Sequence, residues 1–362
     1  MVQFSIDASW SLTIAGQGRR STSGVGYTTD RRPPDDDPEE PGFPSGFYHN
    51  RPMHRLTPIV ILISASACSD PGDAPASEKT PDLRPVVIGK LEDPNLREAS
   101  GIARSQRQGN VLWVINDNGA DEWVHAISPR GARLGEFDLK KSKNRDWEDL
   151  ASFTLDDTPY LLVADIGDND AKRKTRTLYV VEEPEASKSN KAQTAWRVDF
   201  KYPDGPRDAE AVAVDIENQR ALVLSKRDIP PVLYELPLRT DDEEKVMAKW
   251  LGTIRSLPPP SRQDVQFAPK TKNWHWQPVG MDISADNLAA VILTYRAVYY
   301  YERQAGQDWF DVLNTRPRGV SIGNFRNAEA IAFGDDGRNV VVTGENKHSP
   351  ILLVDFDVEP AG

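Results

Sequence analysis

Five short segments of the chain start alike, and four of their first residues carry an oxygen that could bind a cation. They are SGIA from Ser100, EDLA from Glu148, EAVA from Glu210, VGMD from Val279 and EAIA from Glu329. Carboxylates brought close together in a protein interior raise one another's pKa values and repel unless a positive charge sits among them. If the five first positions formed one ring, Ser100, Glu148, Glu210 and Glu329 would offer a hydroxyl and three carboxylates to a single hard cation, and calcium suits that donor set. Two readings stay open for the glutamates. Either they hold such an ion, or each accepts backbone N–H groups from a neighbouring repeat and staples the repeats together.

A second set of polar residues follows each segment at a near-constant distance. Counted from the fourth motif position, 14, 14, 13, 13 and 13 residues lead to Asp117, Asp165, Lys226, Tyr295 and Glu345, each at the end of an apolar run. Asn118, Asp168, Asn169, Arg227 and Arg296 lie beside them. Asp117 and Asp165 are the candidates to activate water. Lys226 with Arg227 reads as a clamp for an anion, and Asn118, Asp168, Asn169, Tyr295, Arg296 and Glu345 as further ligand contacts. Asn, Asp and Gly also make tight turns, so a purely structural reading of Asn118, Asp168 and Asn169 stands beside this one.

The elements that must position these residues are strands. After each apolar run comes a third strand (VHAIS, TLYVVEE, VLYEL, AVYYYER, ILLVDFD) and, in four repeats, a fourth (RLGEFDL, TAWRVDFKY, KWLGTI, WFDVL). The last repeat lacks a fourth strand, and the spare one, RPVVIGKLED, precedes the first motif. This is the closure expected of an all-β propeller of four-stranded blades, in which an N-terminal strand completes the last blade. Residues 84–357 give about 55 residues for each of five blades; the stretch Ser256–Pro278 is where a sixth would fit. The propeller domain is placed at residues 83–358.

Composition narrows the chemistry. With 44 Lys+Arg against 55 Asp+Glu the net charge is −11, which excludes the basic surface that nucleic-acid binding requires. A single Cys rules out a disulfide framework, and the five His show no metal-binding spacing in the sequence. A monomer is expected.

Two segments precede the domain. From Met53, MHRLTPIVILISASAC has a basic start, an apolar stretch and small residues before Cys68, the pattern of a secretory signal with a lipoprotein cleavage site. It resembles the bacterial lipobox, with Ala65 in place of the usual Leu. The resemblance implies acylation of Cys68, anchoring in a lipid bilayer, and, with Ser69 next, an outer-membrane lipoprotein facing the periplasm or cell surface. Residues 1–52, with RRPPDDDPEEPGFP, read as disordered or as sequence upstream of the true start, and 69–82 as a tether.

The order Ser, Glu, Glu, gap, Glu, with Asp117 at the end of the first run and a basic pair in the third repeat, resembles the calcium-activated nucleotidases (apyrases). That resemblance implies a calcium-dependent hydrolase of phosphate anhydrides or esters, with Ser100, Glu148, Glu210 and Glu329 as ligands, Asp117 activating water, and Lys226 and Arg227 holding phosphates. Val279 departs from it, since valine cannot ligate. DWEDLA, DIGDN and NAEAIAF are also similar to motifs of uncharacterised secreted bacterial propellers, and more loosely to phytase-like and esterase-like propellers. GxSxG and P-loop motifs are absent. The reading preferred on sequence is therefore a module that binds a small anionic ligand or an envelope protein, with the hydrolase as the alternative. Metabolic labelling with a fatty acid is expected to mark the wild-type chain and not Cys68→Ala; equal labelling of both would refute the anchor.

Overall fold

The computed structural model describes residues 84–357, apart from 118, 188–190, 241–244, 260–261, 263–275, 326 and 335. The readings placed on residues 1–83, Cys68 included, on Asn118 and on most of the segment Ser256–Pro278 lie outside the described residues.

Strand β1 (Val86–Lys90) is followed by β2 (Ala99–Arg104), β3 (Leu112–Asn116), β4 (Trp123–Ile127) and β5 (Arg133–Lys140), which pair in sequence order as a four-stranded array. The next array is β6 (Trp147–Leu155), β7 (Thr158–Asp165), β8 (Arg176–Glu182) and β9 (Lys191–Lys201). A short parallel pairing of β5 with β9 fuses the outer edges of these two arrays into one sheet. Then come β10 (Ala209–Asp215), β11 (Arg220–Ser225) and β12 (Val232–Pro237), with β13 (Val246–Met247) lying against β9 and β14 (Lys249–Thr253) completing the array. The fourth consists of β15 (Pro278–Ile283), β16 (Ala289–Thr294), β17 (Ala297–Glu302) and β18 (Arg318–Ser321), with helix α1 (Trp309–Leu313) between the last two. Finally β19 (Ala328–Phe333), β20 (Asn339–Gly344) and β21 (Pro350–Asp355) are completed by β1, which pairs antiparallel with β21.

The innermost strands touch in a cycle: β2 meets β6, β6 meets β10, β10 meets β15, β15 meets β19, and β19 returns to β2. The chain is an all-β propeller of four-stranded blades, closed by its N-terminal strand. One apolar cluster fills each gap between neighbouring blades, as with Trp113, Trp147 and Tyr179 between the first and second, or Ile102, Val114 and Ala330 between the fifth and first. Each blade therefore buries both faces, which is why the strands read as near-continuous apolar runs.

One strand expectation fails. WFDVL is the helix α1, and the fourth strand of its blade is the later RGVS. Asp308 caps the helix by accepting the Phe310 N–H at 2.8 Å, and Trp309, Val312 and Leu313 are buried at the i, i+3, i+4 spacing of a helix face.

Backbone stapling between blades does occur, through carboxylates at other positions of the motif than the ring glutamates. Asp149 is fully buried and accepts the N–H of Val212 at 2.8 Å and of Met281 at 3.2 Å, so it binds the second blade to the third and fourth. Asp282 accepts Phe333 N–H at 2.9 Å and joins the fourth blade to the fifth. Gly101 belongs to the same layer: a Cβ there would stand 2.6 Å from the Leu150 nitrogen, so the first and second blades meet through bare backbone. Asp149→Ala leaves three buried donors, the N–H groups of Leu150, Val212 and Met281, without their acceptor and is expected to cost about 2–5 kcal/mol in denaturant unfolding; a loss below about 0.5 kcal/mol, the scale of a neutral surface change, would show that Asp149 is no staple.

Candidate functional site

The ring positions are set by five equivalent irregularities. In each blade the pairing of the innermost strand with the second slips by one residue, between Ala99 and Gly101, Trp147 and Asp149, Ala209 and Ala211, Pro278 and Gly280, and Ala328 and Ala330. The residue skipped is in every case the ring residue: Ser100, Glu148, Glu210, Val279 or Glu329. A bulge leaves its extra residue out of the ladder and re-aims the side chain.

Those side chains meet an ammonium group. Lys226 is buried and donates to Glu210 and, at 3.1 Å, to the Tyr295 hydroxyl; Tyr295 in turn donates to Glu329 Oε1 at 2.6 Å. Burial works against a charged lysine, but the carboxylates of Glu210, Glu148 and Glu329 together outweigh it and hold the Lys226 pKa above its ordinary value. Burial, with Glu210 and Glu329 nearby, pushes the Tyr295 hydroxyl upward as well, so it stays a protonated donor. The positive charge expected among the glutamates is thus supplied by the chain itself. Ser100 is occupied otherwise, donating to the Trp147 carbonyl at 2.9 Å and tying the first blade to the second.

Glu148 stands apart. Its residue is 5% exposed, and the Lys226 charge acts on its carboxylate against those of the neighbouring acids. Burial, then Glu210 and Asp117, push its pKa well above the ordinary carboxylate value. Two carboxylate triads share it, Asp117–Asp146–Glu148 and Glu148–Asp208–Glu210, with ligand oxygens in each triad within 4.8 Å of one another. In the second triad Lys226 already faces Glu210, and Arg227 Nε lies 2.6 Å from Asp208. Burial still pushes Glu210 up to about 7. Gly167, from DIGDN, makes room for Glu148 and Asp146: a Cβ there would fall 2.0 Å from Glu148 Oε1 and 2.6 Å from Asp146 Oδ2.

The sequence expectation missed Asp146 and Asp208. Each lies two residues before a ring glutamate, so the repeat D-x-E, as DWE and DAE, was the available signal.

The second ring is only partly as expected. Asp165 pairs with Trp147 as Asn116 pairs with Ala99, so its counterpart in the first blade is Asn116 and not Asp117. Both side chains do the same work: Asn116 Oδ1 accepts Glu98 N–H at 3.2 Å, and Asp165 Oδ1 accepts Asp146 N–H at 3.0 Å. Asp165 is buried and also takes Arg173 Nη2 at 2.8 Å, which fixes the loop.

Lys226 and Arg227 form no joint clamp, because one side chain turns into the channel and the other reaches Asp208 and the exposed Asn169. Asp168 is buried against Arg176 and accepts Arg173 N–H at 2.7 Å. Glu345 accepts from Asn327 Nδ2 at 3.1 Å, and Arg296 is exposed in the turn between β16 and β17. Of the predicted site residues, the structure gathers Glu148, Glu210, Glu329, Lys226 and Tyr295 in the channel, with Asp117 beside Glu148.

No protein-family model matches the chain, and no curated protein matches it either. Among solved structures it is similar to a gluconolactonase from Xanthomonas campestris, at 11% identity and TM-score 0.41, over 77% of this chain and 91% of that one. It is also similar to the PQQ-bound aldose sugar dehydrogenase from Streptomyces coelicolor, at 9% identity and TM-score 0.41, over 75% of this chain and 96% of that one. Both overlaps are loose, and the fold assignment rests on the strand pairing and blade contacts.

Lys226→Met removes the ammonium while leaving its partners buried, a change that costs about 3–5 kcal/mol in buried ion pairs. The variant is expected to melt well below wild type in EDTA. An unchanged melting temperature would mean that the ammonium does not hold the channel together.

Proposed function

We propose that the channel mouth binds a hard divalent cation, calcium being the best fit, on Asp117, Asp146 and Glu148, and that the propeller is a cation-dependent binding module for an anionic ligand. The observation that carries this reading is the buried Glu148 carboxylate, which shares ligand spacing with two further carboxylates. A group so placed either stays protonated or receives a cation, and oxygen donors from Asp117 and Asp146 lie within ligand spacing of it. In the neighbouring triad Lys226 pairs with Glu210 and Arg227 with Asp208. The axial set of Ser100, Glu148, Glu210 and Glu329 gives way to an off-axis one.

Calcium takes six to eight oxygens, so three carboxylates leave positions for water and for an oxygen of the ligand. The rim favours a negative partner. Lys141, Lys143, Arg145, Lys172 and Lys174 are exposed on the two loops that flank Asp146 and Gly167, in a chain whose overall charge is −11. Binding is preferred over hydrolysis because the candidate bases are committed, Asp117 to the cation and Asp165 to Arg173 and the Asp146 amide. We place the domain outside the cytoplasm, anchored through an acylated Cys68, on the signal-like sequence before it.

Calcium titration by calorimetry tests the site. Wild type is expected to show saturable binding, Glu148→Gln at least tenfold weaker binding, a loss of about 1.4 kcal/mol, and Glu329→Gln nearly wild-type binding, since Glu329 is held by Tyr295. Equal losses in the two variants would return the cation to the axis, and no binding in wild type would leave Lys226 as the channel's sole counter-charge.

A further inference from the structure

Away from the channel, three metal-ligating side chains that the sequence scatters are brought to one point. His125 on β4 lies directly across from Glu136 on β5, and Asp93 comes from the segment between β1 and β2. His125 Nδ1 stands 3.2 Å from Asp93 Oδ2 and 3.3 Å from Glu136 Oε2. The Asp93 and His125 side chains are buried, and the Glu136 side chain is 22% exposed.

We propose that Asp93, His125 and Glu136 form a second cation site, for a borderline transition ion such as Zn2+. Ligands bonded at 2.0–2.2 Å around a tetrahedral ion lie about 3.3 Å apart, the spacing found here from Nδ1 to each carboxylate, and all three ligand atoms lie within 4.8 Å of one another. An imidazole nitrogen with two carboxylates suits such an ion and disfavours calcium, so the two sites differ in the metals they select. Hydrogen bonding alone accounts for the arrangement less well, because a single Nδ1–H cannot point squarely at two carboxylate oxygens.

The cluster also has an open side. His125 and Glu136 line a cavity of about 500 Å³ together with Asn95, Asn116 and Trp123, so a fourth ligand has a path in. Three protein ligands with an open position is the pattern of reactive zinc sites, while structural ones are closed by four.

Arg133 is the competitor. Its Nε lies 3.1 Å from Asp93 Oδ2 and its Nη2 2.8 Å from Glu136 Oε1, while the side chain is 48% exposed. A guanidinium so placed holds the two carboxylates while no ion is bound, and it can swing into solvent when one arrives.

Co2+ titration of the full chain, followed by visible absorption and reversed by Zn2+, decides the matter. Wild type is expected to develop one saturable band of tetrahedral Co2+, Glu136→Gln to bind at least tenfold more weakly, and Arg133→Ala to bind more tightly than wild type because the competitor is gone. Glu148→Gln should leave the band unchanged, so this site stands or falls separately from the one at the channel mouth. Absence of the band in both wild type and Arg133→Ala would overturn the proposal, as would equal affinity in wild type and Glu136→Gln, or weaker binding in Arg133→Ala.

Discussion

Carboxylates cannot be gathered in a low-dielectric channel without positive charge, and much of this molecule follows from how that condition is met. Glu148, Glu210 and Glu329 are each turned inward by a bulge at the same position of their blades. The Lys226 ammonium, from the end of β11, answers two of them, Glu210 directly and Glu329 through the Tyr295 hydroxyl. Glu148 shares the charge of Lys226 through space but neither of its hydrogen bonds. The propeller closes around a centre in which Asp117 and Asp146, at the first and second blades, bring further carboxylate oxygens close to Glu148.

The work of holding the blades together is divided from the work of binding. Asp149 and Asp282, one step past or within the repeated motif, accept backbone N–H groups from the next blades, and apolar clusters fill the gaps outside them. Because these groups accept the backbone N–H groups, the bulged glutamates of the second, third and fifth blades are released for chemistry. Val279 shows the same freedom in reverse: its bulge is kept although its side chain has no charge to offer. The geometry belongs to the repeat, and the chemistry to whichever residue the repeat presents.

Much of the architecture was legible because the repeat is regular. The E-A-φ-A segments and the apolar runs after them mark strands that the structure contains, and the N-terminal strand does complete the last blade. The errors have local causes. Ala103 pairs with Trp113 but Ala151 pairs with Leu162, one residue further on, so equal counting stopped one register short, at Asp165 in place of Ile166. WFDVL is apolar enough for a strand, yet Asp308 before it caps a helix. Lys226 stands where a rim residue would, and only the fold shows that its long side chain turns inward. The cluster of Asp93, His125 and Glu136 had no sequence signal, since a cross-strand pair and a distant loop bring it together.

The central claim is that the channel has two kinds of positive charge at two different places: an ammonium among the ring glutamates and a metal ion beside Glu148. The most direct measurement is a crystal structure of the protein soaked with a lanthanide standing in for calcium, located by its anomalous scattering. The account predicts a peak within bonding distance of Glu148, Asp117 and Asp146, with Lys226 still on Glu210. A peak on the channel axis between Glu148, Glu210 and Glu329, with Lys226 displaced, would contradict it.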